Sequence, residues 1–304
     1  MWLILAFLSA AFLGVYDSLK KKSLRGNAVL PVLFLNTLFS SLIFLPFIVL
    51  SATTTVLDGT IMHVASGSWA EHRYIVGKAL IVLSSWVLGY FGMKHLPLTI
   101  VGPINATRPV MVLVGAMLFF GERLNLWQWA GVLLAVASFL LLSRSGRKEG
   151  IDFKHDHWIY MIVGAALLGA LSGLYDKYLM APVGEGGVGL DRMMVQSWYN
   201  IYQCGMMLLM LALLWWPKRH ATTPFHWDWA ILGISLFLST ADFLYFYSLS
   251  LPSAMISIVS MIRRGSVVVS FVCGALFFHE KNLRAKAIDL ALVLLGMLCL
   301  YIGS

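Results

Sequence analysis

Charge is scarce in this chain. Only 12% of its 304 residues are Asp, Glu, Lys or Arg, and acids are the scarcer sign, 14 against 22 bases. Hydrophobic residues make up 60% and the mean hydropathy is +0.82. A water-soluble domain this apolar would precipitate, so the expected solvent is a lipid bilayer. Basic runs interleaved with aromatics are missing, which argues against nucleic acid as a partner. Cysteine is nearly absent: Cys204, Cys273 and Cys299 lie far apart in apolar stretches, forming neither a disulfide framework nor a metal-type spacing. Each reads as a small buried hydrophobe. No Gly-rich loop ending in Lys-Ser or Lys-Thr occurs, so ATP is not the expected power source. The eight histidines fall at or beyond the ends of apolar stretches, without a His-Glu-x-x-His motif or a suggested Ser–His pair. An intramembrane enzyme is therefore disfavoured, and no cofactor or metal is expected. The N-terminus lacks a basic run ahead of its apolar stretch, so residues 2–22 read as a retained helix.

What is present is said twice. Gly14-Val-Tyr16-Asp17 returns as Gly173-Leu-Tyr175-Asp176, 159 positions later. Tyr90 followed by Leu96-Pro97 returns as Tyr245 followed by Leu251-Pro252, 155 positions later. Phe119-Phe120-Gly121-Glu122 returns as Phe277-Phe278-His279-Glu280, 158 positions later. A bilayer crossing takes about 20 apolar residues, and ten stretches qualify: 2–22, 28–50, 73–95, 97–120, 125–143, 158–180, 192–216, 228–250, 252–279 and 284–303. The expected fold is an all-α integral membrane protein of ten transmembrane helices in two five-helix repeats, 1–143 and 158–304, joined by a polar linker at 144–157. An odd number of spans per repeat makes the second copy enter from the opposite side, so the repeats are inverted.

Fourteen Lys and Arg fall on the side of the 1–2, 3–4, 5–6, 7–8 and 9–10 connections, and about four, Arg73, Lys78, Arg123 and Arg192, on the other. The positive-inside rule then places both termini outside. Ionisable groups at depth are functional candidates by default. Arg108 in span four and Arg263-Arg264 in span nine fall at near-equivalent repeat positions. Arginine does not readily discharge itself by losing a proton. The internal carboxylates are Asp17, Asp176 and Asp242; Asp17 with Lys20 or Lys21, and Asp176 with Lys177, would neutralise locally. The surplus is positive and suits an anionic ligand, the alternative being fixed internal ion pairs. Gln196, Asn200 and Gln203, like Ser235, Ser239 and Asp242, recur at i, i+4, i+7 and share one helical face. Such faces turn inward, either to line a cavity or to knit helices together. The repeat-related tyrosines include Tyr90 and Tyr245 as candidate donors to a ligand. Asp17 and Asp176 are candidates for gating or coupling. Pro97, Pro103 and Pro109 punctuate span four and hint at a cavity wall, while Gly169-x-x-x-Gly173 reads as a small-residue face for helix contact.

The ten-span pattern, with Gly121-Glu122-Arg123-Leu124 and His279-Glu280-Lys281 closing spans four and nine, resembles the EamA branch of the drug/metabolite transporter superfamily. So does Arg263-Arg264-Gly265-Ser266-Val267-Val268 followed by Gly274-Ala-Leu-Phe-Phe278. The resemblance implies a carrier whose central cavity is lined by spans one to four and six to nine, with spans five and ten peripheral. The Arg263-Arg264 pair also resembles the basic pair that holds substrate phosphate in phosphate-translocator relatives, which implies an anion contact here. Many family members are thought to keep both termini in the cytoplasm, opposite to the charge count. The expected function is a secondary transporter of a small anionic or zwitterionic metabolite, with Arg108, Arg263, Arg264, Gln196, Asn200, Gln203, Asp242, Tyr90 and Tyr245 at the substrate. A lipid-head-group flippase and a non-transporting membrane sensor are the alternatives. The expected partners are a small-molecule solute and the bilayer, with a homodimer left open. The expected location is the bacterial inner (plasma) membrane.

Overall fold

The computed structural model describes residues 2–111, 125–147, 153–251, 259, 262–278 and 283–303. Its ordered elements are helical, with no strand among the described residues. The α-helices are α1 (Trp2–Leu24), α2 (Val29–Thr53), α3 (Trp69–His95), α4 (Leu98–Ala106), α5 (Leu126–Arg147), α6 (His157–Met180), α7 (Arg192–Met210), α8 (Ala230–Ser250), α9 (Ser266–Phe277) and α10 (Leu283–Gly303). Among the described residues, seven helical spans are long and apolar enough to cross a membrane, those built on α1, α2, α3, α6, α7, α8 and α10. At 1.5 Å per residue, the 23 residues of α1 reach about 34 Å, enough for the hydrocarbon core. Large apolar side chains such as Ile4, Phe7, Leu80, Leu133 and Leu209 stay exposed, as lipid-facing surfaces should.

Local chemistry sets the ends. The Ser68 hydroxyl caps α3 and Glu71 reaches back to the Ser68 backbone, closing a capping box. This starts the helix four residues ahead of the expected 73. α7 is capped by the Asp191 carboxylate, which accepts from Met194 N at 2.8 Å. α3 and α8 both stop at Leu-Pro, with Leu96 (φ −103°, ψ 150°) and Leu251 (φ −79°, ψ 143°) held extended by the proline that follows.

The two longest proline- and glycine-punctuated spans are broken. α4 ends at a turn on Thr107, whose N–H reaches Ile104 O at 3.2 Å, and helix resumes over 108–111. Pro109 explains the break: it has no N–H to return to the carbonyl four residues back. Helical residues 262–264 end at a turn on Gly265, whose N–H reaches Ile262 O at 2.9 Å, before α9 begins. The motifs at 119–124 and 279–282, with Glu122 and Glu280, lie outside the described residues.

Helices pair across the two halves of the chain. α1 packs on α8 and α3 on α6; α2 packs on α7, α4 on α9 and α5 on α10. Contacts between loops sort the ends of the bundle. Lys94 Nζ donates to Thr223 Oγ1 at 3.0 Å, and Asn27 Nδ2 to His226 O at 2.7 Å, so the 1–2, 3–4 and 7–8 connections share one end, rich in Lys and Arg. Asn125 Nδ2 donates to Gly303 O at 2.6 Å, which puts the C-terminus with the 4–5 connection at the other end. Exposed tryptophans mark both levels, Trp216, Trp227 and Trp229 at the basic end and Trp69, Trp127 and Trp129 opposite, the distribution expected at two membrane interfaces.

Close approaches depend on glycine. A Cβ on Gly14 would stand 2.4 Å from Val269 Cβ and 2.9 Å from Ser266 O, so α1 meets α9 only because that side chain is missing. Gly169 and Gly173 do not form the expected helix–helix face: a Cβ on Gly169 would lie 2.7 Å from the Arg108 guanidinium carbon, and one on Gly173 would meet nothing within 4 Å. Gly14→Leu is therefore expected to lower stability by about 1–3 kcal/mol through overpacking, whereas Gly173→Ala is neutral. Thermal unfolding of the two purified variants checks this; equal behaviour would contradict the packing described.

Candidate functional site

Between the two end clusters of apolar side chains, one centred on Leu33, Met93 and Ile159 and the other on Phe44, Ile75 and Met194, lies a cavity of about 180 Å³. Its charged lining comprises five cations, Lys20, Lys78, Arg108, Arg263 and Arg264, and three carboxylates, Asp17, Asp176 and Asp242. α1 supplies Asp17 and Lys20, α3 supplies Lys78, α6 supplies Asp176 and α8 supplies Asp242. The arginines stand at the two helix breaks, Arg108 just after Thr107 and Arg263-Arg264 just before Gly265.

Two of the carboxylates are committed. Asp176 is ion-paired with Lys78, and Asp242 with Arg263. Tyr199 on α7 donates its hydroxyl to the second oxygen of Asp242 at 3.0 Å. The Lys78 ammonium lies 5.1 Å from the centre of the Tyr199 ring, and the Arg263 guanidinium 4.2 Å from that of Tyr245. Both pairs are thus braced by aromatic faces, and together they tie α3, α6, α7 and α8 to the segment before α9.

The remaining charges are looser. Asp17 accepts from Ser270 Oγ at 3.4 Å and has no ion pair among the described residues. Arg108 donates to Asn105 Oδ1 at 2.9 Å, a neutral partner at the end of α4. The Lys20 ammonium sits over the ring of Tyr90 at 4.4 Å and near that of Tyr16 at 5.2 Å. Arg264 makes no hydrogen bond or ion pair among the described residues. Three cations therefore face one carboxylate. Such a surplus at bilayer depth is costly unless water or an anion supplies the missing charge.

Several sequence expectations change. Asp176 takes Lys78, a partner on another helix, while the Lys177 side chain lies outside the described ones; Lys21 donates to Met93 O at 2.7 Å and Leu96 O at 2.5 Å, and no ion pair joins it to Asp17 among the described residues. Lys78 is not an interfacial charge; it is only 3% exposed and more than two turns inside α3. It is buried against Asp176 of α6 and the rings of Tyr199 and Phe246, and the capping box at Ser68 starts the helix earlier than the hydropathy alone suggests. Arg108, Arg263, Arg264, Asp242, Tyr245, Asp17 and Asp176 are brought together in the cavity, but Gln196, Asn200, Gln203 and Tyr90 are not among its lining residues. The amide trio is buried on α7 beside a polar seam to α2: Ser41 Oγ donates to the Asn200 backbone carbonyl at 2.8 Å, Asn200 Nδ2 donates within α7 to Gln196 O at 2.8 Å, and the Gln196 and Gln203 amides make no hydrogen bond among the described residues. Ser235 and Ser239 extend this seam from α8, donating to Asn36 Oδ1 at 3.2 Å and Ser40 Oγ at 3.4 Å. The serines of α8 knit helices, and Asp242, on the same face, reaches the cavity. Lys20, Lys78 and Tyr199 are site residues that pattern reading missed; the signal available for Lys78 was Ser68-x-x-Glu71 ahead of it.

Residues 1–144 match the EamA-like transporter family, so the resemblance seen in the sequence holds over that part of the chain. A curated relative, an uncharacterized transporter in the cobO 3′ region of Sinorhizobium sp, is 32% identical over 87 residues, which cover 26% of this chain and 62% of the relative. The chain thus spans less than two thirds of that relative's length. A solved crystal structure of a protein that is 15% identical covers 98% of this chain and 96% of its own, with a TM-score of 0.64, and shares the fold. With seven membrane-length helical spans, these matches support an integral, multi-pass membrane transporter.

The Lys78–Asp176 pair gives a direct test of the site's electrostatics. Lys78→Met or Asp176→Asn alone strands its partner and is expected to cost about 3–5 kcal/mol. The double variant should recover much of that loss. Thermal unfolding of the four proteins in one detergent measures the coupling, and additive losses would mean that the two groups do not depend on each other.

Proposed function

We propose that the whole chain is a secondary carrier of the EamA type, which moves a small anionic or zwitterionic metabolite by alternating access through the central cavity. The observation that carries this reading is the charge balance: after Lys78–Asp176 and Arg263–Asp242 are paired, Lys20, Arg108 and Arg264 confront Asp17 alone. An anion entering the cavity would meet Arg264 and Arg108, whose planar guanidinium groups suit carboxylate and phosphate oxygens. Asp17 is the acceptor for the amino group of a zwitterion. Arg263, held by Asp242 and stacked on Tyr245, shapes the far wall. Tyr90 supports Lys20 from behind, and the Gln196, Asn200 and Gln203 seam holds α7 against α2.

In this reading the chain has ten spans in two inverted repeats, 1–143 and 158–304, joined by 144–157. The helix pairing supports it, because exchanging the first five helices with the last five returns the same pairs, α1 with α8 becoming α6 with α3. The helix breaks support it too: Thr107 and Gly265 are 158 positions apart, the offset that relates Phe119 to Phe277. Asp17 and Asp176 serve as gating or coupling groups. The Lys78–Asp176 pair joins α3 to α6 towards the end opposite the basic one, and it must part when that end opens. The excess of Lys and Arg at the other end favours a cytoplasmic basic end, in a bacterial inner membrane. A carrier of this kind has no need of a bound cofactor.

The test is uptake into proteoliposomes. Phosphorylated and carboxylated metabolites are first screened for thermal stabilisation of the purified protein, since a ligand that binds the folded state raises its stability with occupancy. Arg264→Ala is expected to cut uptake of the anions so identified about tenfold or more, equivalent to losing one charge-assisted contact. Undiminished uptake of every one of them would end the anion reading.

A further inference from the structure

The interior of the bundle holds polar side chains that no other group answers. Gln203 on α7 is fully buried, and Gln196, about two turns earlier on the same face, is 1% exposed. Neither the amide oxygen nor the amide nitrogen of either side chain has a hydrogen-bond partner among the described residues. Two further fully buried groups share that state, the amide nitrogen of Asn36 on α2 and the hydroxyl of Ser197, next to Gln196 in the chain. A buried polar group left without a partner bears its full desolvation cost. So many of them close together on α7 and its neighbour α2 point to a missing ligand.

The chemistry of the orphaned atoms selects that ligand. The nitrogens of Asn36, Gln196 and Gln203 only donate, the oxygens of Gln196 and Gln203 only accept, and the Ser197 hydroxyl does both. A cation would answer the oxygens alone, and an anion would leave the oxygens unmet. Water answers all of them, and a buried water makes about three such bonds. The surrounding layer is polar and not sealed. Ser41, which holds the Asn200 carbonyl, and Ser239, which reaches Ser40, keep 6% and 7% of their surface accessible. The layer also leads to the central cavity: Ser235, Ser239 and Asp242 follow one face of α8, and Asp242 lines the cavity. Tyr199, the residue before Asn200, donates to Asp242 at 3.0 Å.

We propose that ordered water, exchanging with the central cavity, occupies the buried layer beside the α2–α7–α8 seam and completes the hydrogen bonds of Gln196, Gln203 and Asn36. The site needs no transported solute, and it stands whether or not the carrier reading does. Its consequence is mechanical. A water-mediated bond is nearly as good as a direct one, and it can be remade as helices shift. α7 can then move against α2 without stranding an amide.

The experiment is a brief X-ray pulse on the purified full chain in water enriched in heavy oxygen, followed by mass spectrometry. Hydroxyl radicals born from internal water oxidise a neighbouring methionine to its sulfoxide. Met207, fully buried and four residues beyond Gln203 on the same face, is the reporter. Met297, 7% exposed and packed with the apolar Leu290 and Val293, is the control. Met207 is expected to take up label several times faster than Met297, although it is the more deeply buried. Gln203→Leu should slow Met207 to the rate of Met297 and leave the unfolding temperature unchanged or lower. Should that variant fold poorly, Gln196→Leu read at Met193, three residues earlier and 2% exposed, makes the same test. Labelling of wild-type Met207 no faster than Met297 would overturn the proposal. So would a rise of several degrees in the unfolding temperature of Gln203→Leu, the result expected when a dry orphaned amide is removed. Stabilisation by sodium over potassium that the variant loses would put a cation there in place of water, and overturn it too.

Discussion

Charge that is buried at bilayer depth must be answered by opposite charge or by water, and this constraint organises the molecule. Five cations and three carboxylates converge on the central cavity. Two carboxylates are answered across helices, Lys78 to Asp176 and Arg263 to Asp242, and each cation lies against an aromatic ring, Tyr199 of α7 for Lys78 and Tyr245 of α8 for Arg263. What is left over, three cations against Asp17, is positive in sum. The packing makes room for that surplus: Gly169 clears space for the Arg108 guanidinium, and Gly173 leaves the wall open.

Backbone irregularity is placed where it serves the same end. An unbroken helix would satisfy its own carbonyls and keep its side chains in continuous register. The turns at Thr107 and Gly265 interrupt that register beside the arginines. The break at Thr107 has a covalent cause in Pro109; at Gly265 a Cβ would stand 2.8 Å from Ile262 O, so the tight turn requires glycine. Two different residue types reach a similar outcome in corresponding places. The correspondence is not complete. The offset of 155 that takes Tyr90 to Tyr245 takes Lys78 to Gly233, where a Cβ would meet Leu19 Cδ1 at 2.9 Å. The α3–α6 contact is therefore latched by charge, while the α1–α8 contact at the related position is apolar and tight.

Much of this was legible residue by residue. Hydropathy located the long helices to within a few residues, because a bilayer demands length and apolarity that few other environments do. The Leu-Pro pairs announced the ends of α3 and α8, and the rarity of charge picked out Arg108, Arg263, Arg264, Asp17, Asp176 and Asp242, all of which line the cavity. The reading failed where helix rotation decides. Gln196, Asn200 and Gln203 share a face, as their spacing requires, but that face is buried away from the cavity lining, and periodicity does not say which neighbour a face will meet. Lys78 looked interfacial because the helix starts earlier than its apolar stretch.

The chain by itself determined a set of membrane-length apolar segments with short motifs that recur along it and a few costly charges among them, because those properties are carried by composition and spacing along one dimension. Only the tertiary structure decided the partners: Asp176 with Lys78 on another helix, Lys21 with the end carbonyls of α3, Tyr90 behind the cavity and Tyr245 in it. The physical reason is that electrostatic and packing energies depend on distances between atoms far apart in the chain, and those distances are set by how helices rotate and cross, which no local pattern encodes.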